Sequence, residues 1–254
     1  MLTKTFQKDK LTVKIYDTRA AMGRDAAREA AACMRALLAE KDEINMIFAA
    51  APSQNEFLAA LAEEPDIDWG RINAYHMDEY VGLDCDAAPQ SFARFLKDAL
   101  FDRVPFRTVN LLNGKGDAQA EAARYSELLR AHPVDIVCMG IGENGHIAFN
   151  DPGVADFNDD KLVKVVPLDL TCRTQQVHDG CFAKLEDVPT HAFTLTIPAL
   201  MAAAHHFCMV PAATKAEAVR ATLTGPIAET CPATILRTAP HATLYCDGDS
   251  ASLL

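Results

Sequence analysis

The sequence predicts an α/β fold: a doubly wound, mostly parallel sheet with helices on both faces, in a single domain spanning residues 1–254. Three observations predict it. Short apolar runs of strand type alternate with helical segments along the chain. Half of the 254 residues are hydrophobic, enough for a sizeable core at this length. No Pro/Gly/Ser-rich linker, internal repeat or low-complexity tract divides the sequence.

The elements follow in order. "LTVKIYD" (11–17) is strand-like, and the Ala- and Arg-rich segment 18–43 is a long helix that Asp17 or Thr18 can cap. "INMIFAAAP" (44–52) is a buried strand, and "SQNEFLAALAEE" (53–64) opens a helix with a Ser-x-x-Glu capping box. "RINAYHM" (71–77) is a third strand, followed by "DEYVGL" and a helix over 91–101. An amphipathic helix covers 117–132, and "VDIVCMG" (134–140) is the next strand. Strands are expected at 161–168, 192–197, 205–211 and 242–247, with a helix from Lys215.

Composition narrows the partners. A formal net charge of −11 argues against nucleic acid or an anionic membrane surface, and means that any anionic ligand must find its positive contacts locally. The eight cysteines show no CxxC pair and no zinc spacing, so they read as reduced, buried thiols, and no metal site is expected. "MLTKTFQKDK" lacks a signal-peptide stretch and the apolar runs are too short to span a bilayer, which points to the cytoplasm. A homo-oligomer is compatible with all of this.

In sheets of this kind ligands bind beyond the carboxyl ends of the strands. Four polar loops are expected there: "APSQNE" (51–56), "HMDEY" (76–80), "GENGHIAFNDPG" (142–153) and "PAATKAE" (211–217). Lys215 falls in the first turn of a helix beside a Thr214-x-x-Glu217 box, where a cation opposes the helix dipole. Two readings are open at that point, a solvated lysine or a phosphate ligand. Ser53 is a weaker candidate of the same kind, since serine is an ordinary N-cap. Asp78 and Glu79 leave a strand end in different directions, so one can face a site while the other caps a helix.

"MDEYVGL" followed by "GIGENGHIAFNDPG" resembles the glucosamine-6-phosphate deaminase (isomerase) family, which shares its fold with 6-phosphogluconolactonase. The likeness extends through "LLNG" (111–114), "FTLTI" (193–197) and the Lys215 helix. It implies, without a cofactor, conversion of an amino sugar 6-phosphate to a ketose 6-phosphate and ammonia. By that resemblance Asp78 is the base that shuttles the C2 proton, and His146 is the ring-opening acid–base, with Asn144 and Asp151 around it. Ser53, Gln54, Gly145, Lys215 and Arg173 are the implied substrate contacts. Three departures are visible. Asn144 stands where many members have Asp, and Asp151 is one methylene shorter than the usual Glu, so less reach toward His146 is expected. "AAAPSQNE" replaces a Thr-Gly-Gly-Thr phosphate loop. The alternatives are a phosphosugar lactone hydrolase, against which Tyr80 stands where lactonases carry Arg, and a non-catalytic sugar-phosphate sensor.

Overall fold

The computed structural model describes residues 1–85, 87–178 and 180–254. Its elements begin with β1 (Leu2–Lys8), β2 (Leu11–Tyr16), α1 (Arg19–Glu40), β3 (Ile44–Phe48), α2 (Asn55–Ala62), β4 (Ile72–His76) and β5 (Asp78–Tyr80). Next come α3 (Phe92–Leu96), β6 (Thr108–Asn110), α4 (Ala118–Ala131), β7 (Ile136–Met139), β8 (Val163–Pro167) and α5 (Leu170–His178). The chain continues through β9 (His191–Leu195), α6 (Ile197–Met201), β10 (His205–Val210), α7 (Ala216–Thr224) and β11 (Ala242–Asp247).

Among the described residues, eight strands form one sheet in the order β1-β2-β11-β10-β7-β3-β4-β6. Every pairing in it is parallel except β1 with β2, which form an antiparallel edge hairpin. β3 and β4 are buried at every residue because both sheet faces are covered. Alternation divides the core accordingly: Met46 and Phe48 pack in one cluster, Ile47 and Ala49 in the other. Thr18 caps α1, its hydroxyl accepting from Ala21 N at 3.2 Å.

The runs at 163–167 and 191–195 do not join this sheet. With β5 they form a separate antiparallel sheet in the order β5-β9-β8. Period-2 alternation marks a strand without naming its partner, and hence the expectation of one sheet was too simple. This small sheet matters to the site, because β5 begins at Asp78 only one residue after β4 ends. The backbone bond from Leu195 N to Met77 O (2.8 Å) ties the junction down.

Candidate active site

The strands β10, β7, β3 and β4 are neighbours, and the loops that follow them close around one cavity. From β3 the chain moves toward β4 and β6 on one side, whereas β7 leads to β10 and β11 on the other. The cavity therefore lies at the switch point of the sheet, where diverging loops leave room for a ligand. Ser53, Asp78, Gly142, His146, Thr214 and Lys215 line it, so all four loops expected at this edge contribute.

Asp78 and Glu79 part company because consecutive strand residues point to opposite faces. Asp78 faces the cavity and is buried. Glu79 turns inward and accepts from Ser91 Oγ (2.9 Å), Ala93 N (2.9 Å), Phe92 N (3.2 Å) and Tyr80 N (2.9 Å). Three of those donors belong to the start of α3, whose N-cap is Ser91. Burial pushes the Asp78 carboxyl well above the ordinary aspartate range, and the charge of Glu79 pushes the same way. Burial raises Glu79 as well, opposed by its four hydrogen bonds.

His146 is held through one ring nitrogen. Its Nδ1 lies 2.7 Å from Asn144 Oδ1 and 3.0 Å from Asp151 Oδ1, while Asn144 Nδ2 donates to Asp151 Oδ1 at 2.8 Å. Two acceptors around Nδ1 place the proton there and leave Nε2 as the exchanging atom. Asp151 thus reaches the imidazole despite its shorter side chain, contrary to expectation, because the turn from His146 to Asp151 folds back on itself. Burial works against ionisation of Asp151, but hydrogen bonding and charge from His146, with hydrogen bonds from Asn144 and Cys172, outweigh it and hold the carboxyl below the usual range. Gly142 is required for contact: a Cβ there would occupy the space of the His146 ring.

The loops after β3 and β10 complete the cavity wall with Ser53, Thr214 and Lys215. Neither capping box expected there forms. Pro52–Gln54 is a 3-10 turn entered from an extended Ala51, and α2 starts at Asn55 without a side-chain cap. Glu56 instead accepts from Arg19 Nε at 2.7 Å, and Ser53 Oγ accepts from Gln54 Nε2 at 3.0 Å. Likewise Ala213–Lys215 is a 3-10 turn, α7 begins one residue later, and Glu217 pairs with Arg220 at 2.6 Å. Lys215 is buried at the cavity wall. Two alanines on that wall have positive φ, Ala148 at 51° and Ala212 at 84°. The Ala212 N–H is anchored by Asp247, at 3.1 and 3.2 Å from its two carboxylate oxygens.

The model of the family described as glucosamine-6-phosphate isomerases/6-phosphogluconolactonase matches residues 17–245 of this chain. The chain belongs to that family. Among its curated members, the glucosamine-6-phosphate deaminase of Listeria monocytogenes is 39% identical over 213 residues, covering 84% of this chain and 88% of the relative. That of Streptococcus pneumoniae is 40% identical over 192 residues, covering 75% and 80%. In three dimensions the family fold recurs in a monomeric glucosamine-6-phosphate deaminase, with a TM-score of 0.85, 28% identity and coverage of 95% of this chain and 99% of that one. It recurs also in the 6-phosphogluconolactonase of Thermotoga maritima, with a TM-score of 0.75, 20% identity and coverage of 93% and 99%.

Of the residues singled out in this member of the family, Asp78, His146, Ser53 and Lys215 meet at the cavity, with Asn144 and Asp151 behind His146. The other three neither line it nor touch the His146 ring. Gln54 is fully buried, and its amide donates to Ser53 Oγ and to the Met139 and Met209 carbonyls at the ends of β7 and β10. Gly145 turns with φ 83° against Cys231. Arg173 donates to the Leu185 and Val188 carbonyls at 2.7 and 2.9 Å, because α5 points it into its own following loop. His76 is buried and accepts from Leu112 N at 2.8 Å, and burial lowers it to about 3, so it stays neutral. Among the described residues no three His, Cys, Asp or Glu side chains gather as a metal-binding group, and no helix is long and apolar enough to cross a membrane.

Sequence reasoning missed two residues. Arg19 lines the cavity from the first turn of α1. The signal that singled out Lys215, a cation opposing a helix dipole at the carboxyl edge of the sheet, was present at Arg19 too. Thr194 lies fully buried on β9, paired with Asp78. Its hydroxyl accepts from Phe149 N (3.1 Å) and Asn150 Nδ2 (3.2 Å) in the His146 loop.

Proposed function

We propose that this chain converts glucosamine 6-phosphate, or its C4 epimer, to a ketose 6-phosphate with release of ammonia. The observation that carries the reading is the convergence of a buried, proton-prone Asp78 and an oriented His146 on a cavity that Lys215 and Ser53 also line. The near-40% identity to deaminases over most of the chain supports it.

In this reading the ring-closed sugar meets His146 first. Its Nε2 takes the anomeric hydroxyl proton and passes it to the ring oxygen as the C1–O5 bond breaks, giving the aldehyde. Asn144 and Asp151 keep the ring in one orientation throughout. Asp78 then removes the C2 proton while the aldehyde oxygen takes one up from solvent, which gives an enolamine, and returns the held proton to C1, which gives a protonated C2 imine. Water adds to the resulting C2 imine, and ammonia leaves. One carboxylate can serve both carbons because it keeps the proton between the two transfers, and burial favours that protonated interval. Each acid–base group of this kind contributes typically about 10²–10⁴-fold.

The test is incubation of the purified protein with a panel of phosphosugars, measuring ammonium and ketose formed. The expected result is stoichiometric ammonium and ketose from an amino sugar 6-phosphate, undiminished by chelator. Hydrolysis of a phosphosugar lactone without ammonium release from any amino sugar would overturn the reading.

A further inference from the structure

A phosphate monoester carries between one and two negative charges near neutrality, and this acidic chain must meet them locally. Among the described residues that line the cavity, Arg19 and Lys215 are the basic side chains besides His146. The loop that follows β3 offers Ala49, Ala50 and Ala51, whose methyl groups keep backbone amides from the close approach that glycine permits. A second cation therefore has work to do there, and Arg173 is engaged elsewhere.

Arg19 is placed for that work by packing. A Cβ on Gly23 would come within 2.5 Å of Glu56 Cβ and 2.9 Å of Phe57 N, so glycine lets α1 lie directly against α2. That contact brings the first residue of α1 over the Pro52–Gln54 turn. The guanidinium is oriented from behind: Nε donates to Glu56 Oε1, and Nη2 donates to the Pro52 carbonyl. A guanidinium has five N–H donors in a fixed fork, so two acceptors leave others for a ligand. The side chain is 33% exposed and lines the cavity with Ser53, the residue after the carbonyl that it holds.

We propose that Arg19 is the second phosphate-binding side chain of this site, gripping the 6-phosphate together with Lys215 and Ser53. The assignment rests on the phosphosugar reading above and names the residue that stands in for a glycine-rich loop.

Calorimetric titration of glucosamine 6-phosphate, glucosamine and inorganic phosphate into wild type and variants tests it. Arg19→Gln is expected to weaken the 6-phosphate by about 10–150-fold, the range for a hydrogen bond to a charged group, and to leave glucosamine unchanged. Arg19→Lys is expected to recover part of the loss, since it keeps the charge and loses the fork. Removing Arg19 also leaves Glu56 un-neutralised near the cavity, so Arg19→Gln is paired with Glu56→Gln. The double variant is expected to stay weak. Recovery of wild-type affinity in it would mean that Arg19 only offsets Glu56 and would overturn the proposal. Equal loss with both sugars, or a phosphate-specific loss in Arg173→Gln and none in Arg19→Gln, would overturn it too. Thermal melts confirm that each variant is folded. Ammonium release is followed in parallel on wild type. Its absence, with the Arg19–phosphate coupling intact, would defeat the deaminase reading and leave the anion site standing.

Discussion

Asp78 is buried beside a second carboxylate, and both surroundings favour its protonated form. The folded state therefore holds this proton more tightly than the unfolded chain does, and stability falls as pH rises from the unfolded value through the raised folded one. Asp78→Asn removes that penalty. The variant is expected to melt at a higher temperature than wild type near neutral pH, with the difference vanishing in acid, while turnover falls by about 10²–10⁴-fold. Melts across pH beside initial rates check both halves. A variant no more stable than wild type at neutral pH would show that the carboxylate is not strained there. Asp151 carries the opposite sign: its carboxyl is held down, so the stability it contributes is present above the ordinary aspartate range and is lost as pH falls through its lowered folded value. Asp151→Asn should therefore cost stability at neutral pH. Asp78 and His146 were legible in the sequence because each sits in a dense polar stretch directly after an apolar strand. Arg19 carried the same helix-start signal as Lys215 and was passed over; what orients it, a contact with Glu56 37 residues away, is recorded by no local pattern.

The helix termini show where local rules yield to tertiary demands. Both Ser/Thr-x-x-Glu boxes at this edge were readable as caps, and in both the glutamate takes an arginine instead. A cap is worth about 1 kcal/mol, which the half-buried Arg19–Glu56 pair can match but the exposed Glu217–Arg220 pair does not; in both places a tight 3-10 turn displaces the helix start, by two residues in α2 and one in α7. That displacement frees the Ser53 hydroxyl from capping and leaves it on the cavity wall. The strands were more legible than the helix starts because alternation survives in burial. Their membership of two sheets was not legible, and it bears on catalysis. Thr194 clamps the His146 loop to β9, which is itself paired with the strand carrying Asp78. Thr194→Val keeps the shape and leaves the Phe149 N–H without its acceptor, costing about 1–3 kcal/mol, while the Asn150 amide keeps the Ile147 and Leu195 carbonyls. Ring opening, which depends on the loop, is expected to slow for the ring-closed sugar. Exchange of the C2 hydrogen in an open-chain analogue, assigned in the proposed mechanism to Asp78 on β5, should persist. Thr194→Ser should restore the first. Equal damage to both steps would show the hydroxyl serving the fold alone.

At the scale of the whole molecule, the alternation of strands and helices was enough to anticipate a parallel sheet with its ligand edge. The order of its strands was not, because order is set by which helix packs where. The hairpin β1–β2 is separated from β3 by β11, β10 and β7, about 19 Å across the sheet at the usual spacing. Its link to the body of the sheet is the register of Thr12–Tyr16 against Thr243–Asp247. Every residue assigned to the cavity precedes Ala242, yet a chain ending at His241 is expected to be inactive and open to protease. It would lack the neighbour of β2 and the Asp247 carboxylate that restrains Ala212. Protease resistance and ammonium release in that truncation would show β11 to be dispensable. The same arrangement orders events on the ribosome. The hairpin β1–β2 is made long before β11, the strand it pairs with, so this side of the sheet closes only after Asp247 has emerged. Until Ala242–Asp247 has emerged, β2 lacks its parallel neighbour and Ala212 lacks the carboxylate that restrains it, although every residue that lines the cavity has already been synthesised.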